Sequence, residues 1–215
     1  MIEYFKTAEP VIGEMTAVVT LPTGFDKTKE KLPVIVFMHG MGERESLERL
    51  MQVGMTELFV PDQDYHGLRV ITVSPWCPKQ FRWNELTAQT MSLIKKAVAE
   101  YNGDESRVSI TGLSMGGFAT WKLISEYPDY FSAAAPICGG GNEKDAEKIK
   151  IPVRAFHGSA DDTVPLRMSV KMAEAAAKGN PNVSLTVYAG VGHGSWNPAY
   201  KESDLIEWLA AQKKR

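Results

Sequence analysis

The sequence predicts an α/β fold: a mostly parallel central sheet of about eight strands, helices on both faces and no large lid. Three observations carry that expectation. Strand-like and helix-like runs alternate along the chain, the signature of βαβ units. The run Pro33-Val34-Ile35-Val36-Phe37-Met38 is apolar without alternation, as a strand covered on both faces must be. A Gly-x-Ser-x-Gly segment, Gly112-Leu113-Ser114-Met115-Gly116, sits between a β-type run and a helical run. Such a turn reverses the chain within a few residues and lifts its serine to the carboxyl end of the sheet. Glycines flank the serine because a side chain there would meet the adjoining strand or helix.

In chain order, residues 11–21 read as a strand at the sheet edge, closed by Pro22-Thr23-Gly24. The buried run 33–38 ends in the loop His39-Gly40-Met41-Gly42-Glu43-Arg44. Ser46 can cap a helix to about Met51, followed by a looser helical stretch to Phe59. Leu68–Val73 is the next buried strand. Leu86, Met91, Ile94, Ala97, Val98 and Tyr101 recur at spacings of three and four, so 86–101 is an amphipathic helix that Gly103 ends. Strand 107–111 precedes the serine turn, and the helix after it runs to Tyr127, stopped by Pro128. A small-residue strand, 131–138, ends at Gly139-Gly140-Gly141, and a charged helical stretch leads to strand 153–157. Helix 165–178, strand 185–189 and a final helix 200–212 complete the chain. Met91, Met168 and Met172 fall in helical patterns and read as core. No repeat, low-complexity segment or linker divides the sequence, and a single domain over 1–215 is expected.

Composition narrows the function classes. Apolar and charged fractions of 44% and 23% over 215 residues suit one globular core. A net charge of −2 offers no electrostatic attraction to nucleic acid or to an anionic membrane. The first residues lack the basic end and apolar run of a leader, and no apolar stretch approaches the length of a membrane span. A cytoplasmic location is therefore expected. Cys77 and Cys138 are too few for a disulfide framework and read as free thiols.

The chemistry gathers at predicted strand ends, where sheets of this type place functional groups. A serine hydroxyl needs a base to take its proton and a carboxylate to orient that base. Ser114, then Asp161 or Asp162, then His193 each follow a predicted strand, in the chain order Ser-acid-His. His39 and His157 also sit at strand ends, but both fall too early in that order. They read as turn residues whose ring nitrogens bond nearby backbone. An oxyanion formed on attack needs two N–H donors. The Met115 amide, at the positive end of the new helix, is one. The other is expected from the loop after Met38, at Met41 ahead of Gly40. Trp76, Phe81, Trp83 and Trp196 fall in loops on the same face. Trp83 and Trp196 are the expected walls for an acyl or aryl group, and Trp76 reads as loop packing. No cofactor or metal is implied.

Five segments, Phe37–Arg44, Gly112–Gly117, Pro136–Gly141, His157–Pro165 and Gly192–Trp196, resemble the dienelactone-hydrolase and phospholipase/carboxylesterase branch of the α/β hydrolases. The chain looks most like small esterases related to prolyl-oligopeptidase catalytic domains, from about residue 20 onward. The resemblance implies that the acid is the aspartate of H-G-x-x-D, Asp161. It also implies a cofactor-free hydrolysis of small carboxylic esters of short acyl or cinnamoyl type. The chain has no room for the propeller or Ig-like domain that restricts peptide access in some relatives. A small serine peptidase is the second reading, and a non-catalytic binding protein on the same fold the third.

Overall fold

A computed structural model describes residues 1–214. Its strands are β1 (Ile2–Glu9), β2 (Gly13–Thr20), β3 (Val34–Met38), β4 (Ile71–Pro75), β5 (Val108–Leu113), β6 (Ala133–Ile137), β7 (Val153–Gly158) and β8 (Val183–Tyr188). They form one sheet in the order β1-β2-β4-β3-β5-β6-β7-β8. The pairings β1–β2 and β2–β4 are antiparallel, and all others are parallel. The helices are α1 (Leu47–Leu50), α2 (Gly54–Phe59), α3 (Thr87–Glu100), α4 (Met115–Glu126), α5 (Arg167–Ala177), α6 (Trp196–Lys201) and α7 (Leu205–Ala211).

The unbroken apolar run of β3 is explained by its two faces. Val34, Val36 and Met38 join one core with Ile94, Val98 and Trp121 from α3 and α4. Ile35 and Phe37 join a second core with Phe59, Tyr200, Leu205 and Leu209 from α2, α6 and α7. Every β3 side chain is therefore buried. The apolar positions predicted for 86–101 are likewise all buried, and Met91 and Met172 are core. Ser46 Oγ accepts the Arg49 amide at 3.3 Å, which is the cap expected for α1.

Four expectations need correction. The strand at 11–21 is not the edge. β2 pairs with β1 on one side and β4 on the other, so β1 covers it. β1 alternates half-buried and exposed residues, a weaker signal than a two-sided strand gives. The strand expected at 68–73 lies at 71–75, because its parallel pairing with β3 starts at Ile71 opposite Val34. The charged stretch after Gly141 is a tight 3-10 turn, Glu143–Lys148, rather than a full helix. The final helix is two helices with a break at residues 202–204, where Ser203 Oγ bonds the Ala199 carbonyl at 2.6 Å and receives the Leu205 amide at 3.2 Å.

Register sets the site. Met38 pairs with Gly112, and Leu113 with Ile137, so the ends of β3, β5 and β6 lie level. The loops leaving all three strands therefore open on one edge of the sheet, around Ser114.

Candidate active site

Ser114 stands between β5 and α4 with φ 54 and ψ −119, a left-handed conformation that costs a non-glycine residue of the order of 1 kcal/mol or more. Packing holds it there. A Cβ at Gly112 would come within 2.5 Å of the Gly116 carbonyl, and one at Gly116 would overlap the Met38 carbonyl. The turn thus has to pass directly over β3. Its amide is fixed by the Ile137 carbonyl at 3.0 Å and by Cys138 Sγ at 3.3 Å.

His193 arrives from the loop after β8 and Asp161 from the loop after β7. His193 Nε2 is 2.9 Å from Ser114 Oγ, and its Nδ1 is 2.8 Å from Asp161 Oδ2. Asp161 Oδ1 accepts the Thr163 and Val164 amides at 2.9 and 2.8 Å. The carboxylate side chain is fully buried, which raises its pKa. The hydrogen bonds from His193, Val164 and Thr163 outweigh that, and the carboxyl ends below its ordinary range. The ring of Trp196 meets the His193 ring edge-on, with centroids 5.4 Å apart. Asp162 is exposed and bonds only the Thr163 hydroxyl, at 3.3 Å. It does not cap α5, which starts without a side-chain cap.

The early histidines brace loops, as their sequence positions suggest. His39 Nε2 accepts the Cys77 amide at 3.0 Å, so its proton lies on Nδ1, which donates to the Gly40 carbonyl at 2.7 Å. Burial pushes its pKa down to about 4, so the ring stays neutral. His157 lies 2.9 Å from the Val164 carbonyl through Nε2 and 2.7 Å from Ser169 Oγ through Nδ1. Its Nε2 is also 3.2 Å from Asp161 Oδ2.

A Cβ on Gly40 would lie 3.6 Å from Ser114 Cβ and 2.9 Å from both Leu113 Cδ1 and Glu43 Oε2. The loop after β3 therefore passes close over the serine as bare backbone. Neither the Met41 nor the Met115 amide has an acceptor among the described residues. Trp83 Nε1 donates to the His39 carbonyl at 3.0 Å and anchors that loop from below.

Ser114 opens on a cavity of about 640 Å³, bordered also by Met41, Met115 and Trp83. Trp83 is thus a largely buried part of the cavity wall, 2% exposed. Trp196 is not among the cavity's lining residues, and its ring packs against His193. Trp76 packs as a brace, with Nε1 donating to the Glu43 carbonyl at 3.0 Å.

Two features escaped the sequence reading. Cys138, with φ 40, stands behind the Ser114 amide, and burial raises its thiol pKa to about 12. A cysteine in a small-residue strand carries no sign of that position. The other is the face of α4 that lines the cavity through Phe118, Ala119 and Lys122. Their spacing from Met115, by three, four and seven, was the available signal.

The sequence profile of the dienelactone hydrolase family matches residues 77–213, well over half of the chain. A bifunctional acetylxylan esterase/xylanase of Neocallimastix patriciarum is 31% identical over 138 residues. That match covers 61% of this chain and 20% of the relative, so the chain spans only a fifth of that protein. Among solved structures, a thermostable esterase matches with TM-score 0.88 and 32% identity, over 99% of this chain and 63% of that one. A feruloyl esterase module from Clostridium thermocellum, complexed with sinapinate, matches with TM-score 0.79 and 18% identity, over 100% and 89%. The last shares the fold. Among the described residues, no helix is long and apolar enough to cross a membrane.

Proposed function

The chain belongs to the dienelactone hydrolase family, and on that premise we propose that it is a serine carboxylesterase acting on small esters of short acyl or aryl acids. One observation carries the reading: the hydrogen-bond chain Asp161–His193–Ser114 ends at a cavity large enough for such a substrate. Esterases among the similar proteins support it.

In the proposed mechanism, His193 Nε2 takes the proton of Ser114 as Oγ attacks the ester carbonyl carbon. Asp161 holds Nδ1–H and stabilises the imidazolium that forms. The oxyanion falls between the Met41 and Met115 amides, the latter aided by the positive end of α4. Collapse breaks the bond to the alcohol oxygen, which leaves with the proton from His193. Water, deprotonated by the same nitrogen, then attacks the acyl-enzyme; the acyl–Oγ bond breaks, Ser114 Oγ recovers the proton from His193, and the acid leaves. The side chains at the site supply every proton transfer. The buried free thiols Cys77 and Cys138 suit a reducing compartment such as the cytoplasm.

Parallel assays with 4-nitrophenyl acetate and with aminoacyl anilides test the reading. Turnover of the ester well above the anilides is expected. Faster cleavage of the anilides would make the protein a peptidase.

A further inference from the structure

The cavity follows one helix face, and its chemistry changes along that face. From α4 it is lined by Met115, Phe118, Ala119, Trp121, Lys122, Ser125 and Glu126, spacings that keep to one side of the helix. Eleven steps at ~1.5 Å make a groove of roughly 16 Å, beginning at Ser114. Its first ~6 Å along α4, Met115 to Ala119, is apolar, about the length of an aromatic ring. Met172 and Trp121, both buried, add apolar surface.

The distal part is polar and built from paired charges. Lys122 lies 2.6 Å from Glu126 on α4, and Lys148 lies 2.6 Å from Asp145 on the 3-10 turn 143–148. All four border the cavity, together with Asn142 and Ser125. Each ammonium keeps donors and each carboxylate keeps acceptor lone pairs beyond its own partner. An anion placed here would face Glu126 and Asp145, and a cation would face Lys122 and Lys148. A neutral hydroxyl, which both donates and accepts, opposes neither.

We infer that the distal groove between α4 and the turn 143–148 is a subsite for a neutral, hydroxyl-rich group such as a sugar, carried one aromatic-ring length from the scissile ester. This rests on the esterase reading for the reaction itself, while the subsite stands on the lining residues.

The test uses matched esters in which a ring separates the ester from the variable group. Phenyl acetate and methyl cinnamate are compared with their ring-para glucosyloxy and ring-para carboxylate derivatives, which places the group on the alcohol or the acyl arm. In one of the two series the glucosyl ester should exceed the parent in kcat/KM by about tenfold, the worth of one or two hydrogen bonds. In Asp145→Ala and Lys148→Ala that ratio should fall toward one. The ratio within each variant guards against a general loss of fold. Equal kcat/KM for parent and glucosyl esters in both series overturns the subsite. So does preference for the carboxylate, which would assign the groove to Lys122, Lys148 and Arg82, the last without a carboxylate partner among the described residues. Affinity of the same esters for Ser114→Ala separates the two readings. If no ester is turned over but the glucosyl esters still bind about tenfold tighter, the esterase reading fails and the subsite stands.

Discussion

His193 Nε2 lies 2.9 Å from Ser114 Oγ, across a sequence separation of 79 residues. The contact exists because β5 and β8 end on the same edge of the sheet, with β6 and β7 between them. In the proposed mechanism the two side chains act as one unit. Ser114→Ala and His193→Ala should each lower kcat by several orders of magnitude, and the double variant should lose little more than either. Steady-state kinetics with circular dichroism checks both rate and fold.

The adjacent aspartates should separate cleanly. Asp161 bonds His193 and two amides, whereas Asp162 is exposed and bonds one hydroxyl. Asp161→Asn should cut kcat by about 10²–10⁴, because the amide can hold the wrong imidazole tautomer. Asp162→Asn should stay within about twofold in activity and about 0.5 kcal/mol in stability. Exchanged effects in kinetics and melting curves would move the acid to Asp162.

Much of this site was legible in the sequence because its residues carry chemistry. Ser114, Asp161 and His193 follow strand ends in a fixed order, and glycine marks where the chain must pass close to a neighbour. The edge strand β1 was not legible, because its half-buried alternation resembles a solvated segment. The contact of Trp196 with His193 was not legible for a different reason: a loop sequence locates a side chain on the right edge of the sheet without telling which side of His193 it takes. The cavity wall on α4 was not legible either, because nothing in a helical run tells a side chain that faces a cavity from one packed against a strand.

Backbone crowding gives a stability prediction. Gly116→Ala drives a Cβ into the Met38 carbonyl, and neither backbone can yield without separating α4 from β3. It should lose roughly 2–4 kcal/mol, within the upper range for overpacking. Gly42→Ala meets nothing within 4 Å and should change stability by no more than about 0.5 kcal/mol. Urea unfolding of the pair provides the comparison.

Acid should weaken the turn that feeds β5. Burial raises the Asp104 carboxyl pKa, but bonds from Ser106 and Arg107 outweigh it and bring it to about 2 from the reference 3.8. The folded pKa is depressed, so the contribution is complete above about pH 5 and is lost progressively as the pH falls through about 2. Asp104 is partly exposed, which reduces the expected size to about 1–2 kcal/mol. Asp104→Asn should therefore destabilise the protein by that amount at neutral pH and by well under half of it near pH 2. A difference that stays constant across this range would contradict the assignment.

A fluorophosphonate probe followed by peptide mass spectrometry decides whether Ser114 is a nucleophile activated by His193. One covalent adduct on Ser114 is expected in the native protein, none in Ser114→Ala, and labelling slowed at least ~100-fold in His193→Ala, the scale of a lost general base. Labelling at another residue, or at Ser114 with equal speed when His193 is absent, would contradict it.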